Sequence, residues 1–194
     1  MKSNIDLLHD VDLEIVKTVV KICDDNGLLY YMLGGTMLGA IRHKGFIPWD
    51  DDIDLGLPRK DYETFLKIAP QLLPKHYTLV NYKTDSNYHY YITRILDTNT
   101  KVIENRFASE GKFTSASIDI FPLDGSPNGR IARWYFCKKL LIHRAASSLH
   151  FKKVIDKRKR PLWEEFLLKF IKLFPTDKMF NFYNQLAICD KMLK

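Results

Sequence analysis

The chain has 194 residues, 46% of them hydrophobic and 27% charged, with 30 Lys and Arg against 23 Asp and Glu. That balance excludes a disordered or low-complexity chain, and the length suits one domain with a sizeable core, with or without an extension. Three widely spaced cysteines, Cys23, Cys137 and Cys189, exclude a disulfide framework and a cysteine zinc site.

The first residues, MKSNIDLLHD, are too polar and acidic for a secretory leader, and no apolar run approaches the ~18 residues of a membrane span. A reducing, cytoplasmic setting is expected. Over residues 5–26, Ile5, Leu8, Val11, Ile15, Val19 and Ile22 recur at steps of three and four, which predicts a helix that Asn26-Gly27 ends. Its acids, Asp6, Asp10, Asp12 and Glu14, are expected on the solvent face.

Residues 28–33, LLYYML, have the apolar and aromatic composition of a buried strand. Gly34-Gly35-Thr36 leads into a short helix over residues 37–42, with Thr36 expected at or near its N-cap. Glycines let backbone approach a ligand closely, and a helix N-terminus offers unpaired N–H groups to phosphate. No Gly-Lys-Ser/Thr follows, so this is not a Walker loop, and a glycine pair alone also reads as a plain turn. Arg42, His43 and Lys44 can serve the dipole at the end of that helix or bind a substrate phosphate.

Four aspartates then fall in five positions: Asp50, Asp51, Asp52 and Asp54. Asp52 and Asp54 alternate with Ile53 and Leu55, the period of a β-strand. Both carboxylates would project from one face, roughly 6.5–7 Å apart, with the aliphatic residues in the core behind them. Like charges so placed cost stability unless a cation lies between them, and a donor set of oxygens alone suits Mg²⁺ or Mn²⁺. The competing reading is a solvated acidic turn after Pro48. The burial-seeking neighbours Phe46, Ile47, Trp49 and Ile53 favour the metal site.

Residues 59–73 read as a helix, with Tyr62, Phe65, Leu66 and Ala69 along one side and Pro74 as its stop. Residues 77–82 and 88–97 alternate as strands, and residues 100–104 are expected to pair back through the turn Asp97-Thr98-Asn99. Arg94, on a central strand, needs an anionic partner, either a structural carboxylate or a donor phosphate. In residues 117–125, SIDIFPLDG, Asp119 stands among Ile118, Ile120 and Phe121. An acid in that frame is costly unless it is paired or bound to metal. Asp124 is a secondary candidate, because Pro-Leu-Asp-Gly is also a good turn.

The last third changes character. Residues 130–172 hold 13 Lys and Arg against 3 Asp and Glu, whereas residues 1–63 hold 7 against 12. Helices are expected over residues 131–151, 161–174 and 178–193, with a basic linker over 152–160. Trp134, Trp163, Phe166, Phe170 and Phe174 have the spacing of helical packing. The second reading is a basic, aromatic surface that rests on anionic lipid headgroups or a polyanionic glycan. No nucleic-acid-binding motif is present, and no such partner is expected.

The run from Gly34 to Asp54, GGTMLGAIRHKGFIPWDDDID, resembles the signature of the LicD family, in the nucleotidyltransferase-fold superfamily, which includes bacterial phosphorylcholine transferases and fukutin-related proteins. The resemblance is dense over residues 30–125, takes in ITRILDTNT around Arg94, and does not reach the last third. It implies an α/β (α+β) fold: a nucleotidyltransferase-like mixed sheet with flanking helices. Here that means a catalytic core over residues 1–126 and a basic helical extension over 127–194. It further implies a phosphate turn at Gly34, Gly35 and Thr36, a carboxylate pair at Asp52 and Asp54, and a third carboxylate at Asp119. Asp51 is a secondary candidate; Arg42, His43 and Arg94 are candidate phosphate ligands. The expected activity is Mg²⁺- or Mn²⁺-dependent transfer of a phosphocholine-like group from a CDP-linked donor, CDP-choline first, to a cell-surface glycan such as lipopolysaccharide, teichoic acid or capsule. The alternatives are nucleotidyl transfer from an NTP and a non-catalytic glycan- or lipid-binding module. The expected location is cytoplasmic, with peripheral contact at the inner face of an anionic membrane.

Overall fold

A computed structural model describes residues 3–85, 88, 90–103, 114–151, 166 and 169. The chain divides into two compact units, Met1–Thr84 with Ile92–Leu123, and Asp85–Tyr91 with Asp124–Lys194.

The first unit is a five-stranded mixed sheet with helices, an α/β mixed fold. Helix α1 (Asn4–Asp25) starts in a capping box between Ser3 and Asp6, and Asn26 caps its end before Gly27 turns into the left-handed region at φ 63°. Strand β1 (Tyr31–Met32) precedes α2 (Gly34–Arg42), β2 (Asp54–Pro58), α3 (Arg59–Leu72), β3 (Tyr77–Val80), β4 (Thr93–Asp97) and β5 (Ser117–Leu123). The sheet order is β1-β2-β5-β4-β3. Only the central pair, β2 with β5, is parallel; β1 on β2, β4 on β5 and β3 on β4 are antiparallel.

The core gathers the inward stripe of α1 (Ile15, Val19, Ile22), Leu55 and Leu57 of β2, Phe65 of α3, Ile95 of β4, and Ile118 and Ile120 of β5. In β5, Ile118 and Ile120 are buried on either side of a half-buried Asp119, and in β2 the half-buried Asp54 precedes the buried run Leu55, Gly56 and Leu57. The half-buried position of Asp119 follows from the pleat.

Several expectations are corrected. Residues 28–33 do not form a buried strand: only Tyr31 and Met32 pair, at the sheet edge, and both are exposed, with β2 their one neighbour among the described residues. The strands expected over 77–82 and 88–97 are confined to β3 and β4. Val102 bridges Thr114 instead of pairing back on β4, whose two sides are already taken by β3 and β5.

The second unit contains α4 (Arg130–Phe151), close to the helix expected over residues 131–151. The linker at 152–160 and the helices at 161–174 and 178–193 lie outside the described residues, apart from positions 166 and 169. Trp134 and Phe166 are exposed rather than packed.

Candidate active site

The site is built where α2 and the acidic loop meet the start of the central strands. Leu33, not Thr36, is the N-cap of α2, and Gly34 opens the helix at a φ of 47° that only glycine adopts without strain. The helix therefore begins two residues before the expected cap, and Thr36 falls inside its first turn. There its Oγ1 accepts a hydrogen bond of 2.8 Å from the backbone N–H of Asp54. At the other end of the same residue, the Asp54 carbonyl accepts from Leu33 N–H at 3.0 Å. The glycine turn and the acidic strand are thus locked together through one backbone and one side-chain hydrogen bond.

Both glycines lie close to the acids. A Cβ on Gly35 would overlap Asp50 Oδ2, and one on Gly34 would lie 3.4 Å from Asp54 Oδ2. Further along α2, a Cβ on Gly39 would come within 2.7 Å of the Gly45 carbonyl oxygen. The loop between α2 and β2 is also held from α1: His9 stacks on Phe46 at 4.0 Å, and its Nε2 lies 2.6 Å from the Asp50 carbonyl oxygen. A carbonyl only accepts, so Nε2 carries the proton.

Asp54 and Asp119 are direct partners in the parallel register of β2 and β5. Arg94 is the partner of Asp119 on the other side, across β4 and β5. Asp54, Asp119 and Arg94 therefore form a row across three adjacent strands. Arg94 Nε donates to Asp119 Oδ1 at 2.6 Å and its NH2 to Oδ2 at 3.0 Å, a bidentate bridge. Of the two partners expected for Arg94, the structure displays the structural carboxylate.

Burial pushes the Asp54 carboxyl up to about 6, and Asp52, Asp119 and Asp50 add repulsion that Arg94 partly offsets. Asp52 is also raised, again by burial first and then by Asp50, Asp51 and Asp119. The Asp50, Asp51 and Asp52 carboxylates place oxygens within 4.8 Å of one another, which makes Asp50 and Asp51 part of the same acidic centre. Asp52 is thus shared between that triplet and the strand pair Asp54 and Asp119. The donor set is oxygen throughout and crowded, which fits a hard divalent cation.

Beside these acids lies a cavity of about 340 Å³ whose walls include Leu13, Val16, Phe46 and Ile53, with Asp50 and Asp52 on its lining. Arg42 and His43 are exposed at the far end of α2, roughly 12 Å along its axis from Gly34. Asp124 follows β5 as the first residue of the second unit's longer segment.

The expectation that Asp12 lies on the solvent face is wrong. It is 1% exposed, on the buried side of α1, and neither carboxylate oxygen has a hydrogen-bond partner at good geometry. Burial pushes its pKa up to about 7 against the nearby backbone of Ser117, and Asp51 and Asp52 push the same way. The signal was in the sequence: Asp12 takes a turn in the series Leu8, Asp12, Ile15, Val19, Ile22. His9, which ties α1 to the acidic loop, carried no such signal.

A mixed sheet thus presents a carboxylate pair on neighbouring strands, next to a glycine-started helix. Residues 27–139 match the family model LicD/FKTN/FKRP, nucleotidyltransferase domain, and the chain belongs to that family. It is 35% identical over 119 residues to the lipopolysaccharide cholinephosphotransferase LicD of Haemophilus influenzae, covering 61% of this chain and 43% of that protein. It is 44% identical over 48 residues to the ribitol 5-phosphate transferase FKRP of Mus musculus and of Homo sapiens, 25% of this chain and 10% of each relative. The chain thus spans less than half the length of the curated relatives it matches.

Proposed function

We propose that this chain is a metal-dependent transferase that moves a phospho-alcohol group from a CDP-linked donor to a hydroxyl of a cell-surface glycan. The observation that carries the reading is the cross-strand pair Asp54 and Asp119, set against the first turn of α2 and joined by Asp52. Family membership supports it, because the relatives' names describe transfer of phosphocholine and of ribitol 5-phosphate.

Asp52, Asp54 and Asp119 would hold Mg²⁺ or Mn²⁺, with Asp50 and Asp51 beside them. Bound there, the cation would neutralise the diphosphate and stabilise charge that builds up during in-line displacement at phosphorus. The backbone at Gly34, Gly35 and Thr36 steadies the donor's phosphates. Arg94 compensates and orients the Asp119 carboxylate. The acceptor hydroxyl oxygen attacks the phosphorus that bears the head group, its proton passes to one of the carboxylates, and the P–O bond to CMP breaks.

The cavity next to Asp50 and Asp52 suits a compact head group of largely apolar surface, since its walls are mainly aliphatic and aromatic and its charged lining residues are two carboxylates, Asp50 and Asp52, and one ammonium, Lys44. Choline is such a group, and CDP-choline is therefore the first donor to test. The experiment is CMP release from CDP-choline, CDP-ethanolamine, CDP-glycerol and CDP-ribitol, with Mg²⁺ or Mn²⁺ and a lipopolysaccharide or teichoic acid acceptor. Metal-dependent CMP from one donor, lost in Asp52→Asn, supports the reading and identifies the head group. Pyrophosphate release from CTP or ATP, without use of any CDP donor, would replace it with nucleotidyl transfer.

A further inference from the structure

We propose that the exposed face of α4 docks the protein on an anionic lipid surface, with the helix lying in the plane of the headgroups. The helix presents Ile131, Trp134, Tyr135, Leu141 and Ile142 to solvent, with Ile131 85%, Trp134 61% and Ile142 66% exposed. At ~100° per residue these five side chains and Lys138 occupy roughly a third of the helix circumference, one continuous band. A band of that kind on a solvated helix costs free energy until something covers it.

The chemistry of the band specifies its cover. Lys138 Nζ lies 5.7 Å from the centre of the Trp134 ring, and Lys139 Nζ lies 5.2 Å from that of Tyr135. Each aromatic ring therefore carries an ammonium one turn away. Arg130 and Arg133 are exposed in the same turns, the first turn has no acid, and residues 130–172 carry 13 Lys and Arg against 3 Asp and Glu. Cores of protein–protein interfaces are depleted of lysine. A bilayer surface accepts this mixture, because Trp and Tyr settle at headgroup depth while lysine stems extend their charge to lipid phosphates. Among the described residues, no helix is long and apolar enough to cross a membrane, so contact in the plane is the mode this helix allows.

The test is co-sedimentation of the full chain with vesicles of phosphatidylcholine alone and with an equal mixture of phosphatidylcholine and phosphatidylglycerol. The expected result is binding to the mixed vesicles only, weakened by added salt. Lys138→Gln and Lys139→Gln should each lower partitioning about fivefold. Trp134→Ser and Ile142→Ser, at exposed positions where the melting temperature should not move, should each lower it about tenfold, while Trp134→Phe keeps most of it. Equal binding to both vesicle types, binding to neither, or anionic binding indifferent to both serine variants would overturn the proposal. Self-association of the wild type that Ile142→Ser abolishes, without vesicle binding, would assign the band to a second copy of this chain instead.

Discussion

Arg94 and Asp119 face each other across β4 and β5, and the guanidinium engages both carboxylate oxygens, at 2.6 Å and 3.0 Å. Both side chains are partly buried, and Asp54 stands on the next strand. Removal of the cation alone leaves Asp119 uncompensated beside other acids. Arg94→Met should lower stability to urea by about 1–3 kcal/mol. The double variant Arg94→Met/Asp119→Leu should recover part of the loss, because neither charge is then left alone. A double variant less stable than the single one would show that the pair is not coupled in this way.

The approach of α2 to the loop before β2 gives a prediction with an internal control. A Cβ at Gly39 would meet the Gly45 carbonyl oxygen at 2.7 Å and the Ile47 backbone nitrogen at 3.0 Å, and backbone does not step aside. A Cβ at Gly45 would meet nothing within 4 Å. Gly39→Ala should therefore cost about 1–3 kcal/mol in chemical denaturation, and Gly45→Ala should cost little. Similar losses at the two sites would refute the close approach.

Thr36 offers a more selective change. Its hydroxyl receives the Asp54 backbone N–H at 2.8 Å. Thr36→Val keeps the shape and leaves that donor unpaired, which should cost about 1–2 kcal/mol and reduce CMP release. Thr36→Ser should preserve both, in thermal melts and in the transfer assay.

The sequence carried the local parts of this description and not the long-range ones. The period of Ile15, Val19 and Ile22 fixes α1, whereas the alternation read over residues 52–57 holds only in part: β2 starts at Asp54, and Asp52 and Ile53 precede it. The apolar frame of Asp119 marks its strand, so the two halves of the central pair are readable separately. That Arg94 answers Asp119 depends on cross-strand register between positions 25 apart in sequence, which leaves no local trace. The edge position of Tyr31 and Met32 is equally non-local: their composition is that of a core strand, but among the described residues one side has no neighbour. Asp12 shows the reverse case, a residue whose periodic position was plain and whose polarity argued against it.

Asp12 and Asp54 set a pH dependence. Both have folded pKa values above the ordinary 3.8, at about 7 and about 6. The native state therefore holds more protons than the unfolded chain between these values, and stability falls as pH rises from about 4 to 7. In metal-free buffer the melting temperature should decline over that window. Asp12→Asn, which cannot ionise, should flatten the decline and melt higher than wild type at pH 8, with little difference near pH 4. A wild-type melting temperature that climbs through the window would contradict the sign.

The central claim is that the carboxylates beside the start of α2 form a centre for a divalent cation. Its most direct test is Mn²⁺ binding to the full chain near neutral pH, followed by electron paramagnetic resonance of the free ion. The wild type should bind Mn²⁺ and release it to a chelator, and Asp54→Asn should bind at least tenfold more weakly while still folded. Binding that Asp54→Asn leaves untouched, or no binding by a folded wild type, would contradict the account.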